Sequence, residues 1–417
     1  MTTTLSASFR ADAGHGLLHR TSASPARRRL RRVQAIWALL ILNVLTFYAG
    51  APHILPIPGA AGKMITQFAL VAALMLALSV NRPAAVRPSV FILLLSLLAA
   101  EAMITSLWAE FLGGAIFRTG RLLVFVFVLW LLTPWWGRRD LLLVKAHLTT
   151  IWVVLGSVLL GLFVAPGVAL DMDRLGGAIW PIPPTQVGHY AAVAAGLSTV
   201  LWLSGMLRRE LALAAVIVSM PILLLTHTRT ALVALMAGVL IAGLSLFTTR
   251  SRVRKAFATG LVVLSLGALT LSSVVATWLA RGQDDQDLAA LTGRRAVWES
   301  VLAEPRSTFE VLFGFGLSNK SFNGLPIDSN WLATYYDVGV VGVAINAAML
   351  LFLLVAAGFR PQGPKRALAL FLVAYCIVAS FTETGLSDAS PYLLELTLAA
   401  SLLVSTRQRR GGVPGSS

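Results

Sequence analysis

Three charged side chains stand where charge is costly in an apolar chain: Arg229, Arg294 and Asp328. Arg229 lies in Leu225-Thr-His-Thr-Arg-Thr-Ala-Leu232, between two long apolar runs that leave no room for a proper loop. It therefore starts a helix at a membrane edge, a placement that defaults to a functional reading. A guanidinium at a helix N-terminus suits phosphate oxygens, although snorkelling to lipid phosphates would place it equally well. Arg294 and Arg295 open Thr292-Gly-Arg-Arg-Ala-Val-Trp-Glu299, where the spacing predicts an amphipathic helix with Val297, Trp298, Val301 and Leu302 on its apolar side. Arg295 and Glu299 are four apart and form a weak surface pair. Arg294 has Trp298 at that spacing and stays available for an anion. Asp328 precedes another apolar run, where a carboxylate is a good helix N-cap. Held near Trp331 and hydroxyl groups, it is equally placed to act as a general base toward an attacking hydroxyl. Both roles are compatible.

A wider set of polar residues begins or ends apolar runs. Arg118 and Arg121 flank the start of one, Gln186, His189 and Tyr190 follow Trp180-Pro-Ile-Pro-Pro184, and Glu383 closes another. Each is a helix-end or packing residue, or a further substrate contact alongside Arg295. Gly314-Phe-Gly316 is a turn, and without a following Lys-Ser/Thr it is no phosphate loop. The sequence holds no HExxH, no GxSxG and no closely spaced His/Asp set, so neither a metal nor another cofactor is expected. The lone Cys376 excludes an internal disulfide and reads as a small buried hydrophobe.

The elements that must position these residues are helices. Of 417 residues, 57% are hydrophobic and 12% charged, and mean hydropathy is +0.79. Soluble chains carry about 25% charged residues. The apolar residues gather into runs near the length of about 20 that crosses a bilayer, and backbone in lipid must be helical or barrel-closed. The sequence predicts an all-α integral membrane protein of about twelve transmembrane helices, with a large extracytoplasmic loop between the ninth and tenth. The expected order is a disordered basic cytoplasmic tail (1–32), helices one to nine (33–279), an extracytoplasmic loop subdomain (280–329), helices ten to twelve (330–405) and a cytoplasmic tail (406–417). The first apolar run, Val33 to Ala49, is too long for a signal-peptide core. Net charge is +16, but 24 of the 34 Lys and Arg fall in the two tails and the alternate short connections. Of 18 acidic residues only Asp12, Asp140 and Glu210 fall there. That asymmetry sets both termini inside, and it accounts for the charge without nucleic acid.

Taken in order, the motifs resemble the O-antigen ligase and polysaccharide polymerase superfamily of membrane glycosyltransferases. Thr228-Arg-Thr-Ala231 is similar to its Ser-Arg-Thr element, and Thr292-Gly-Arg294 with Trp298 to its Thr-Gly-Arg…Trp element. Asp328-Ser329, nine residues, Gly339 and then Val-Val-Gly342 fit the spacing of its His motif, with Asp in place of His. Polymerase-like members tolerate Asp there, which leans away from a strict ligase. The resemblance covers 226–345 by motif and the remainder by topology alone. It implies a metal-independent, inverting transfer of glycan from a polyprenyl-diphosphate donor to a glycan or lipid-linked acceptor at the outer face of a bacterial inner membrane. Arg229 and Arg294 would hold the diphosphate, and Asp328 would orient or deprotonate the acceptor hydroxyl. The main rival is a transporter or flippase of lipid-linked saccharides, which predicts a polar path through the midplane.

Overall fold

The computed structural model describes residues 25–48, 50–280, 294–317 and 321–404. Most of both expected tails, and the Thr292-Gly293 half of one motif, lie outside the described residues. The first half of the chain forms α1 (Pro25–Val44), α2 (Gly59–Val80), α3 (Val90–Thr105), α4 (Leu112–Leu132), α5 (Leu142–Val164), the short α6 (Pro166–Ala169) and α7 (Pro184–Leu203). The second half forms α8 (Arg209–Leu225), α9 (Arg229–Leu246), α10 (Ser251–Ala280), α11 (Arg294–Ala303), α12 (Thr308–Phe313), α13 (Asn330–Gly358), α14 (Pro364–Ala379) and α15 (Pro391–Leu403). Sheet is limited to two antiparallel hairpins, β1 (Leu170–Asp171) with β2 (Arg174–Leu175), and β3 (Ser321–Phe322) with β4 (Leu325–Pro326).

Among the described residues, six helices are long and apolar enough to cross a membrane: α2, α3 and α4 with the short turns that extend them, α5, α9 and α13. Phe68, Met75, Val153, Phe163, Ile217 and Leu351 lie exposed along the bundle's flank, a surface suited to hydrocarbon rather than water. Five more helices, α1, α7, α8, α14 and α15, run within the same bundle but are too short, too charged or too polar to meet that measure. The reason is clearest for α7. Its residues from Gln186 to Ser198 are buried without a break, rich in Ala and Gly, so protein rather than lipid surrounds it. On α14, Phe371 wedges against Gly196 of α7 and Gly238 of α9, where a Cβ would collide with its ring. Small residues at such crossings bring backbones close, as helix packing without a hydrophobic drive requires.

Hydrogen bonds between helix ends define two poles. At one, Arg29 Nη2 donates to Val80 O at 2.9 Å, Asn81 Nδ2 to Leu131 O at 3.0 Å, and Lys365 Nζ to Gly137 O at 2.7 Å. This basic pole also carries Arg82, Arg87, Arg138, Arg139, Arg250 and Arg360. At the other, Asn43 Nδ2 donates to Thr66 O at 2.8 Å, Gln186 Nε2 to Val44 O at 2.9 Å, and Arg118 Nη2 to Asp388 Oδ2 at 2.9 Å. Arg229, Asp328 and Glu383 sit at this second pole, at or beyond the ends of α9, α13 and α14.

One break shapes that pole. Gly339, inside α13, has φ 67° and ψ −168°, which divides the helix in two. The interruption frees the Tyr336 and Asp337 carbonyls, and these accept the Phe315 N–H at 3.0 Å and the Gly316 N–H at 2.8 Å. The Gly314-Phe-Gly316 turn thus caps a broken helix, with Gly314 and Gly316 at φ 76° and 85°. A Cβ on Gly339 would strike the Leu312 carbonyl, and one on Gly314 the Asp337 backbone. Only glycine allows this approach.

Candidate functional site

Arg229 is the first residue of α9, reached from α8 through a corner of only Thr226, His227 and Thr228. His227 takes a left-handed φ of 51° to make that corner, and its ring stacks on Trp278 with centroids 5.7 Å apart. Gly188 of α7 lies under it, where a Cβ would come within 2.6 Å of Thr226 Oγ1. The corner is therefore fixed from below. Arg294 begins α11, whose Val297 and Val301 bury against Ile327 and Ala333 at the start of α13. Leu302, expected on the apolar side, is 63% exposed instead.

That packing aims Arg294 at Asp328. Its Nε donates to Asp328 Oδ2 at 3.1 Å, both side chains being half-buried. Asp328 is not the cap of α13, because Ser329 holds that position and the helix starts at Asn330. The carboxylate answers an arginine rather than a helix end. Arg294 is also near enough to Arg229 for the two guanidiniums to repel. The three side chains singled out from the sequence thus share one pole of the bundle.

Two further groups join them. Arg174 sits on β2, turned inward by a two-residue turn in which Met172 and Asp173 have φ 48° and 58°, the twist of a tight hairpin. Its Nε donates to Thr226 O at 3.1 Å, using a carbonyl left over at the end of α8. Burial holds the Arg174 guanidinium below its ordinary value; Glu383 pulls it back up and Arg294 adds to the fall. Glu383 follows α14 and faces Asp328, Arg294, Arg174 and His189. Burial first, then the Asp328 charge, pushes its carboxyl up to about 7, against the opposing pull of Arg294, His189 and Arg174.

Short contacts staple these elements together. Thr230 and Thr382, the neighbours of Arg229 and Glu383, share a hydroxyl hydrogen bond of 2.6 Å. Asn330 Oδ1 accepts the Gly385 and Leu386 N–H groups at 3.2 and 2.8 Å, and its own N–H donates to Ser380 O at 2.9 Å. Arg306 clamps the subdomain behind Asp328, its guanidinium over the rings of Phe315, Tyr335 and Tyr336 at 4.6 to 5.0 Å. The result is a pole with three arginines and two carboxylates on one wall, suited to a multiply charged anion.

The remaining candidates are engaged elsewhere. Arg295 pairs with Glu299 at 2.8 Å on the exposed face of α11, the alternative its spacing offered. Gln186 is buried, its Oε1 accepting the Thr46 N–H at 2.9 Å and its Nε2 donating to Val44 O, so it ties off the end of α1. Arg118 binds Asp388, and Arg121 donates to Asn43 O at 3.0 Å. His189 lies deeper, with Nε2 2.7 Å from Glu395 Oε1 and Nδ1 3.1 Å from the Tyr375 hydroxyl. The polar residues are therefore not confined to one surface, since Glu101, His147, His189 and Glu395 are all buried within helices. Among the described residues no group of three or more His, Cys, Asp or Glu could hold a metal ion. Cys376 is buried and free.

Arg174 and Glu383 show where sequence reasoning stops. Arg174 sits in a hairpin whose Met-Asp turn gives no turn signal, and Glu383 reads as a helix-end or packing residue or a further substrate contact, with nothing in sequence to set it apart from the others. Their partners are distant in sequence. No protein-family model matches the chain, and no curated protein matches it either.

Proposed function

We propose that the chain is a membrane glycosyltransferase that moves glycan from a polyprenyl-diphosphate donor to an acceptor hydroxyl, as a polysaccharide polymerase or O-antigen-ligase-like enzyme. In this reading all eleven long helices of the bundle and α10 cross the bilayer, giving the twelve spans expected from hydropathy. The basic pole faces the cytoplasm, and the arginine pole faces outward in a bacterial inner membrane. The observation that carries the reading is the meeting of Arg229, Arg294 and Asp328, from three distant segments, in one pole.

The chemistry follows from charge. A diphosphate leaving group gains negative charge as the anomeric C–O bond breaks, and fixed guanidiniums stabilise that charge without reorganising. Arg229, Arg294 and Arg174 supply it from three elements. A carboxylate beside them takes the acceptor proton; Asp328 and Glu383 both stand there. The acceptor oxygen attacks the face opposite the diphosphate, and the configuration inverts. The lipid tail remains in the membrane along the apolar flank. A transporter would need its buried polar groups joined into a path. The buried histidines here are held by fixed partners, His147 accepting from Trp37 Nε1 at 3.2 Å and His189 pairing with Glu395, while the arginines gather at one pole.

The test is binding of undecaprenyl diphosphate to the full chain in nanodiscs, with undecaprenyl monophosphate as control. Wild type should prefer the diphosphate, and Arg229→Ala and Arg294→Ala should each weaken it about tenfold or more, the value of a lost charge-assisted contact. In cells, the same variants should accumulate lipid-linked precursor at the expense of polymer or ligated glycan. Equal binding of both lipids, with wild-type glycan in the variants, refutes the reading.

A further inference from the structure

The proton acceptor of this site is, we infer, Glu383 rather than Asp328, with Asp328 acting through Arg294 as a positioning residue; the inference rests on the glycan-transfer reading above. Asp328 Oδ2 already receives the Arg294 Nε–H at 3.1 Å, so a proton arriving there would displace a charge-assisted hydrogen bond. Among the described residues the Glu383 carboxylate has neither a hydrogen bond nor an ion pair of its own. It is nevertheless held in place: the Thr230–Thr382 bond ties its neighbour to the first turn of α9, and the Asn330 contacts tie its loop to the start of α13, just after Asp328.

The surroundings then set its proton affinity. Asp328 faces it from the approach to α13, Arg294 from α11, Arg174 from β2 and His189 from α7, with Tyr375 of α14 and Tyr392 of α15 completing the wall. Burial and the Asp328 charge outweigh the cations and bring the carboxyl to about 7, the range in which a general base works best. In the transfer, the acceptor hydroxyl oxygen bonds to the anomeric carbon while its proton passes to Glu383. The bond from that carbon to the diphosphate oxygen breaks, and its electron pair leaves with the diphosphate held by the arginines. Asp328 keeps Arg294 aimed at that oxygen.

The experiment uses the full chain. Membranes from a deletion strain, which carry the cell's own lipid-linked donor, are supplied with wild type, Glu383→Gln, Glu383→Asp or Asp328→Asn, and product formation is followed from about pH 5.5 to 8.5. Undecaprenyl diphosphate affinity is measured on each variant in nanodiscs. Because Glu383 must be ionised to accept a proton, the wild-type rate should rise with pH and level above about 7. Glu383→Gln should lose about 100-fold in rate while keeping diphosphate affinity within about threefold, as loss of a general base demands. Glu383→Asp should recover part of the rate and retain a rising limb. Asp328→Asn should keep a rising limb, moved to lower pH because the Asp328 charge no longer raises Glu383, and weaken diphosphate binding. If Glu383→Gln turns over within about threefold of wild type, or if the limb vanishes in Asp328→Asn alone, Glu383 is not the base although diphosphate transfer stands. If wild type binds no undecaprenyl diphosphate, both readings fall together.

Discussion

Arg118 donates to Asp388 at 2.9 Å with its side chain 19% exposed and that of Asp388 9%, whereas the Arg295–Glu299 pair is open to solvent at 68% and 64%. Physics treats these two contacts differently. Removing one partner of a buried pair strands the other charge, at about 3–5 kcal/mol; an exposed i,i+4 pair is screened by water. Arg118→Leu should therefore lower the thermal unfolding temperature of the purified protein by several degrees, while Arg295→Ala leaves it unchanged and binds undecaprenyl diphosphate as wild type does. A loss of diphosphate binding in Arg295→Ala would return that residue to the site. This contrast also marks what single residues disclose. Arg229, Arg294 and Asp328 are visible in the sequence because a charge at an apolar run's edge has few innocent explanations. Arg118, Arg121 and Gln186 look the same in sequence, yet each satisfies a neighbouring chain end or carboxylate, and only tertiary contacts separate the two classes. Glu383 needed its three-dimensional neighbours.

At the scale of elements, the spacing from Asp328 to Gly339 acquires a physical cause. The glycine does not touch the charged pole; it breaks α13 so that the Gly314-Phe-Gly316 turn docks on the freed carbonyls. That docking seats the segment from α11 to β4, and with it Arg294. Gly339→Ala should cost about 1–3 kcal/mol from its positive φ alone, with more from the clash against Leu312. Its clearest signature should be faster limited proteolysis between residues 294 and 329 while the apolar helices stay protected. Unchanged cleavage there would show that the turn docks without the break. The sequence reading found the turn and the amphipathic α11, but placed Leu302 inward because periodicity ranks faces without knowing how wide the buried one is. Here the buried face is only Val297 and Val301 wide.

For the whole molecule, hydropathy marks the lipid-facing helices well and the enclosed ones poorly. The six that qualify carry much of the exposed apolar surface, whereas α7 escapes the measure because it is polar and enclosed by other helices, and α14 and α15 because they are short. Orientation is open to direct measurement, since Cys376 is fully buried and contributes no background to thiol labelling. Met172 and Phe359 are 87% and 86% exposed, near opposite poles. In intact cells a membrane-impermeant maleimide should label Met172→Cys and spare Phe359→Cys until the membrane is opened. The reverse pattern would place the arginines in the cytosol. The interruption at Gly339 bears on how the molecule lives in membranes of different thickness. Residues 340–358 can tilt to match the local hydrocarbon depth, as helices longer than their bilayer do, and the φ of a glycine absorbs the rotation. The stretch ahead of it stays joined to Ser380, Gly385 and Leu386 through Asn330. Across the break Asn346 Nδ2 still donates to Thr334 Oγ1 at 3.0 Å, so a tilt of the far half reaches the charged pole through that bond and the packing of its buried face rather than through an unbroken helix backbone.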